Sequence, residues 1–528
     1  MRFQKVAALL LVSAILLCAC SAAPTEQLPT SPEYSDAVVI SLSDSGITVD
    51  GQPAGTEDAA VYTANDIVYY EAGKDFTYGE GSENDAHTPE EAAAHTVVHI
   101  TQPGTYSLSG KLSLGQIAVD LGSDAKKDPN AVVTLILNGV DITCQVAPAV
   151  IFYNVYECGN DDTETASKDV DTSAAGANVI IADDTVNNIA GSYVARIYEP
   201  DSVVLNDDKT EVADADKLHK YDGAFYSKRS MNIFGGKKNT GILNINAENE
   251  GLDSELHLTI NGGSICINSG NDGINTNEDG VSVTTVNGGK LTIKVTGETG
   301  EGDGIDSNGW LVINGGTVIA AACSNSADAG IDSDMGIHIT GGTVIASGHM
   351  LDRIEDGTQN YAVFNFAQKQ AGSETIMMKD QDGNALLETT PDNAYSILIY
   401  SSPDLKAGTY TLWSNSTQLA GGSGGMMGGG MRPDGMGHPD NMQPPENFTP
   451  SEDFTHPEGE IPPEDFTPPE GQTPPEGITP PAGDNPPQMP DVNRPGTPGA
   501  NIPTQEQTPD FVIRDGGNMF SGIQPLTA

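Results

Sequence analysis

Between residues 231 and 346, apolar residues fall at every second position around five glycine pairs that recur every 26 or 27 residues. The pairs are Gly235-Gly236, Gly262-Gly263, Gly288-Gly289, Gly315-Gly316 and Gly341-Gly342. Ahead of them run apolar columns such as Leu258 and Ile260, Leu311 and Ile313, Ile337 and Ile339. Behind them come Ile265 and Ile267, Leu291 and Ile293, Val344 and Ala346. A period of two predicts strands with one buried face, whereas a helix needs spacings of three and four. The glycine pair, preceded by Asn261, Asn287 or Asn314 in the middle copies, supplies positive φ for a corner between two strands. Strands too short to bury a core alone, repeated at a constant period, stack into a solenoid. About 26 residues per turn suits a coil of parallel β-helix with a rise of about 4.8 Å; a propeller blade needs roughly 40–50.

A second motif lies between the glycine pairs. It reads Glu250-Gly251-Leu252-Asp253-Ser254, Asp272-Gly273-Ile274-Asn275-Thr276, Asp303-Gly304-Ile305-Asp306-Ser307 and Asp328-Ala329-Gly330-Ile331-Asp332-Ser333. An earlier, longer variant is Asp222-Gly223-Ala224-Phe225-Tyr226-Ser227. The central apolar residue is expected to point inward and the next Asp or Asn outward, so that stacked coils line up carboxylates in rows. Two such charges about 4.8 Å apart repel by roughly 0.9 kcal/mol in water and about 3.5 kcal/mol at an effective dielectric of 20. Few Lys or Arg residues lie nearby to neutralise them. Hard oxygen ligands without neighbouring Cys or His favour Ca²⁺. The expected ligands are Asp222, Glu250, Asp253, Asp272, Asn275, Asp303, Asp306, Asp328 and Asp332. The plainer alternative is an exposed acidic face that only keeps the chain soluble.

The segment 97–413 resembles a family of bacterial surface proteins with a calcium-containing, right-handed parallel β-helix that binds plant-type polysaccharides. Asp272-Gly273-Ile274, Asp303-Gly304-Ile305-Asp306-Ser307 and Ile313-Asn314-Gly315-Gly316-Thr317 carry the likeness, matching its D-G-I-x-S and I-x-G-G-T repeats. Leu135-Ile136-Leu137-Asn138-Gly139-Val140 and Tyr221-Asp222-Gly223-Ala224 look like further family segments. The resemblance implies an all-β, right-handed solenoid with structural calcium and a polysaccharide partner. Where many members have Lys at the x position, this chain has Asp253, Asn275, Asp306 and Asp332. That departure makes the coil face more acidic and speaks against an acidic sugar.

Charge narrows the partners further. The 528 residues carry 74 acidic and 24 basic side chains, a net charge of −50. Such an excess argues against nucleic acid and anionic membrane surfaces as partners and for cations. Sixty glycines against 12 phenylalanines fit a β-solenoid with disordered sequence better than a compact α/β enzyme. The start of the chain reads as a secretory signal, with Arg2 and Lys5 before an apolar run over 6–17 that is short for a membrane span. Leu17-Cys18-Ala19-Cys20 looks like a bacterial lipobox, which implies cleavage before Cys20 and a lipid on its sulfur. Residues 21–36 are then a tether, and the protein is expected outside the cytoplasm as a membrane-anchored monomer at the cell surface.

Residues 37–419 are assigned to the β-helix, with the strands near 38–70 as first coils or a small cap. Thr88-Pro89-Glu90-Glu91 predicts a short helix with Thr88 as N-cap. Two acidic insertions, 159–176 and 201–220, read as surface loops. Cys144 and Cys158 are the one candidate disulfide pair; no spacing suggests zinc. Residues 420–509 are Gly/Met- and then Pro-rich and cannot bury a core, so they read as disordered linker. The Met cluster there reads as filler rather than a copper site. Residues 510–528 are expected to return as a final strand on the stack.

The first functional expectation is a non-catalytic, lipid-anchored, calcium-stabilised polysaccharide-binding protein. Tyr226 and Trp310 are the candidate stacking platforms for sugar rings. The second is a calcium-dependent, pectate-type polysaccharide lyase, which needs an Arg or Lys base beside the metal. Lys228, Arg229 and Lys294 are the nearest, and none recurs with the motif. The third is a structural adhesin that binds another protein.

Overall fold

The alternation of apolar residues places one strand after another on three sides of a common core. The computed structural model describes residues 36–355, 357–423 and 507–526. The expected signal peptide, Cys20, the tether up to residue 35 and the Gly/Met/Pro-rich run 424–506 lie outside these residues. Within them the chain is all-β, apart from the short helix Pro89–Ala93 and two 3₁₀ turns.

Each repeat contributes three strands, except the last, whose motif at 328–333 is a turn. Glu250–Ser254 belongs to an eight-stranded sheet, while His257–Ile260 and Ser264–Ser269 belong to a 25-stranded one. The next repeat lays Ile274–Thr276, Val283–Val286 and Lys290–Val295 parallel to them and in register. The rows run Leu252–Ile274–Ile305 on one side and Ile265–Leu291–Val318–Val344 on another. All of these side chains are buried in one continuous core.

The corners explain the two motifs. Gly289 sits at φ +83°, and a Cβ there would stand 2.5 Å from the Gly263 carbonyl of the preceding repeat. The asparagines before the glycine pairs form a ladder: Asn287 Nδ2 donates to Asn261 Oδ1, and Asn314 Nδ2 to Asn287 Oδ1, both at 2.9 Å. At the other corner the motif serine turns the chain from the short sheet into the long one, as where Ser307 Oγ donates to the Trp310 carbonyl at 2.9 Å.

Upstream, Thr96–Ile100, Gly115–Asp120, Val150–Asn154 and Gly223–Ser227 continue the short sheet in parallel. Thr88 caps the short helix through a capping box with Glu91, as its sequence predicts. All four cysteines in the described residues are free, so Cys144 and Cys158 are not paired.

Two segments differ from the sequence reading. The second insertion is not a plain loop, because Lys217–Tyr221 forms a strand antiparallel to Val194–Tyr198. Its inward Tyr221 packs against Tyr226 and Tyr153, an aromatic contact that charge-dominated sequence conceals. The parallel stack also ends before residue 419, at Thr343–Gly348. The strands from Tyr361–Gln370 onward pair mostly antiparallel and enclose a second core around Phe364, Leu398, Phe511 and Phe520. Thr417–Ser423 runs past residue 419. Two C-terminal strands, Asp510–Ile513 and Gly517–Pro525, join this antiparallel layer rather than the repeats. Apolar alternation is the same in parallel and antiparallel strands, so it cannot separate the two layers.

Ile305 is completely buried between two neighbouring rows. Ile305→Ala is expected to lower the unfolding free energy by about 2–5 kcal/mol, read as a lower urea midpoint, while Thr317→Ala on a partly exposed position of the same repeat leaves it nearly unchanged.

Candidate metal centre

The short sheet carries the acidic motif on its outer side. Leu252, Ile274 and Ile305 point into the core, so strand alternation turns Asp253, Asn275 and Asp306 away from it. Ile331 is likewise buried, in a turn just beyond the sheet, with Asp332 beside it. Asp253 pairs across the sheet with Tyr226 on one side and Asn275 on the other, and Asn275 with Asp306. The row is therefore broken after Asp253 by an amide, and the carboxylates gather in two groups rather than one continuous line.

The first group is Asp222, Glu250 and Asp253, and the second Asp303, Asp306 and Asp332. Within each group one carboxylate oxygen per residue lies within 4.8 Å of the others. Oxygens 2.3–2.6 Å from a shared Ca²⁺ stand at most about 5 Å apart, so both groups have the span of a coordination shell.

The first group is also deeply desolvated. Asp253 is 0 % exposed and Glu250 5 %. Asp253 Oδ1 accepts a hydrogen bond from Asn277 Nδ2 at 2.7 Å, and Glu250 Oε1 accepts one from Asn275 Nδ2 at 3.1 Å. Their other oxygens, Asp253 Oδ2 and Glu250 Oε2, are buried without a partner among the described residues, as is Asn275 Oδ1. A buried, unpaired carboxylate oxygen costs several kcal/mol unless something neutralises it. Among the described residues, the cation in direct contact is Lys220, whose Nζ lies 2.7 Å from Asp222 Oδ2.

The titration of these groups follows from that burial. Desolvation, then Asp253 and Asp222, push Glu250 well above the usual carboxylate range. Desolvation, then Asp222 and Glu255, do the same to Asp253. In the second group desolvation and the neighbouring Asp272 and Asp332 raise Asp303 strongly, and Asp332 rises to about 7 through burial and Asp352. All the donors are hard oxygens, and the cluster resists ionising without a counter-charge. That combination fits a divalent ion of the Ca²⁺ type.

The remaining expected ligands sit apart. Asp272 Oδ1 accepts the Asp303 amide at 2.6 Å, and burial raises Asp272 to about 7. Asp328 Oδ2 accepts the Gly302 amide at 2.6 Å and the Ser326 hydroxyl. Each holds a coil turn through one oxygen, as Asp303 also does through the Ala329 amide, and neither belongs to a three-carboxylate group. Tyr226 is no open sugar platform: its ring is 1 % exposed beneath Tyr221, and its hydroxyl donates to Glu255 Oε1 at 2.6 Å. Trp310 is half-buried on the long sheet, opposite Gly336 of the next repeat, and so lies on a different sheet from the acidic groups. Glu255, Lys220 and Asp352 escape sequence reasoning because they stand outside the repeated motif.

An all-β stack of parallel repeats with buried acidic clusters on one sheet is the class of protein these observations define. The chain belongs to the carbohydrate-binding domain-containing family, whose model matches residues 94–161 and 163–363, half of the sequence. Among solved structures it is similar to a polysaccharide lyase-like protein from C. thermocellum, determined as a gadolinium derivative. The two share 18 % identity over 58 % of this chain and 93 % of that one, with a TM-score of 0.29. Comparison with curated proteins gives no match.

Because folding raises these carboxylates above their unfolded values, the folded state binds more protons than the unfolded one near neutrality. Its stability without divalent ions is therefore lost as pH rises from about 4 through about 7. Thermal melts in chelator should fall across that window, and Asp332→Asn should flatten the fall. A melting temperature that climbs with pH would contradict the burial of these groups.

Proposed function

We propose that the protein is a non-catalytic polysaccharide-binding lipoprotein of the cell surface, wound as a right-handed parallel β-helix and stabilised by Ca²⁺ on its short sheet. The right hand follows the general preference of parallel crossover connections. Membership of a carbohydrate-binding family supports the glycan partner. The observation that carries the metal is the pair of buried carboxylate oxygens without partners among the described residues, Glu250 Oε2 and Asp253 Oδ2, in one cluster with Asp222. With them goes Asn275 Oδ1, unpartnered among the same residues, whose amide nitrogen donates to Glu250. An ion there would take Asp222, Glu250, Asp253 and the Asn275 carbonyl oxygen as ligands. A second would take Asp303, Asp306 and Asp332. The ion supplies positive charge to the coil stack and no chemical step.

Several coils present strands side by side, which gives an extended surface suited to a polymer chain. The lipid on Cys20 would hold that surface at the membrane while the acidic body, at net charge −50, stays clear of anionic headgroups.

Calcium is expected to raise the melting temperature of chelated protein by many degrees, with Asp253→Asn losing most of the gain; equal melting with and without calcium would remove the metal. In sedimentation with insoluble plant polysaccharides, the calcium-loaded protein should co-pellet, whereas a protein left in the supernatant by every glycan points to the adhesin reading. On polygalacturonate with calcium, absorbance of an unsaturated product should stay flat; a steady rise would make the protein a lyase. In cells fed a clickable fatty acid, label is expected on the chain and lost in Cys20→Ser.

A further inference from the structure

At the N-terminal end of the short sheet, the same outer side that carries the acidic groups opens into a cleft of about 330 Å³. This lies at the lower end of the volumes of small-molecule sites and holds one or two sugar rings. Its floor comes from three successive strands, through His99, Gln116, Asp120 and Tyr153. Its wall comes from the inserted strand Lys217–Tyr221, through Leu218, His219 and Tyr221, and Lys228 stands at the rim.

The rings are held in place from behind. His99 stacks on Tyr62 with centroids 4.4 Å apart, and Tyr153 meets Tyr221 edge-on at 5.5 Å. His219 Nδ1 and the Tyr221 hydroxyl lie 2.6 Å apart. The polar atoms facing the cleft are only partly used. Asp120 Oδ1 accepts from Asn154 Nδ2 and the Gly122 amide, both at 2.9 Å, and Asp66 Oδ1 bonds His99 Nε2 at 2.8 Å. The second oxygen of each carboxylate has no partner among the described residues. The same is true of the Tyr153 hydroxyl and the Lys228 ammonium, and burial together with nearby Arg229 holds that ammonium below its ordinary range.

Preformed apolar and aromatic walls with a few spare acceptors and donors are what a sugar ring requires: hydroxyls that both give and take hydrogen bonds, and C–H faces to lay on rings. Two carboxylates against a single ammonium repel a uronate and leave a neutral sugar favoured. We propose that this cleft is a subsite for a neutral oligosaccharide, in which Asp66 and Asp120 accept sugar hydroxyls while Tyr153 and Lys228 donate. The assignment rests on the carbohydrate-binding reading and gives it a location and a sugar class.

The test is titration calorimetry of the calcium-loaded full chain with cellohexaose, xylohexaose, mannohexaose and oligogalacturonate, repeated with Tyr153→Phe and Lys228→Ala. At least one neutral hexasaccharide should bind. Each variant should weaken it about five- to twentyfold, the scale of one lost hydrogen bond, with unchanged melting temperature. Wild-type affinity in both variants would overturn the cleft and leave glycan binding standing elsewhere on the protein. A preference for oligogalacturonate would overturn the neutral assignment. A wild type that binds no hexasaccharide and no insoluble polysaccharide would overturn both the cleft and the family-based reading.

Discussion

Parallel strands laid in register stack corresponding side chains, and on the short sheet the outward position holds Tyr226, Asp253, Asn275 and Asp306 in turn, with further acids at the head of each motif. The ladder that holds Leu252, Ile274 and Ile305 in one apolar row also dictates where Asp253 and Asp306 fall. Slipping the register by one residue to separate the charges would turn the apolar row out of the core. Burial of each such residue is worth about 1.5–3 kcal/mol, repeated along every coil, so register wins and the carboxylates must be accommodated where they stand. The raised titration of Glu250, Asp253 and Asp303 is the electrostatic side of that compromise. Asn275 is its sequence side, a neutral step placed between the two acidic groups.

A stack of parallel coils has a second difficulty, since its last strand leaves a row of backbone donors and acceptors unpaired. Here Thr343–Gly348 is closed by Tyr395–Ser401, which runs antiparallel to it and ties the repeats to a layer with its own aromatic core. Ile345 stands on the last repeat and packs against that second core. The change from parallel to antiparallel pairing thus ends the ladder with a differently patterned layer instead of another identical edge.

Much of this was legible from the repeats. A period of 26 or 27, alternation of two and corner glycines are properties of local sequence, and they suffice for parallel stacking and for which face of Leu252 or Ile305 is buried. The acidic site was legible only in part. The motif identifies Asp222, Glu250, Asp253, Asp303, Asp306 and Asp332 as members of the crowded side. It does not distinguish them from Asp272 and Asp328, because spacing along the chain is silent on which carboxylate oxygens converge within 4.8 Å of one another. Tyr226 misleads for a different reason: its place on the outer side suggested exposure, but the cover comes from the strand just before its own, Lys217–Tyr221, whose composition is that of a surface loop. The antiparallel layer was hidden because hydrophobic alternation carries no information on strand direction.

That inserted strand also joins the two features on the outer side of the short sheet. Tyr221 walls the cleft, and the next residue, Asp222, is a member of the first acidic group. Lys220, one residue earlier, contacts the same carboxylate. Three consecutive residues therefore place an ammonium, a ring and a carboxylate of the first acidic group on one short backbone segment that cannot shift at one end without moving at the other. An ion bound by Asp222, Glu250 and Asp253 would hold this segment against the coil stack and, with it, the aromatic wall. Linkage then requires the converse, that a sugar favouring the closed wall also favours the bound ion. The charge conflict imposed by register would in this way contribute to recognition as well as to stability, through a strand that belongs to neither repeat.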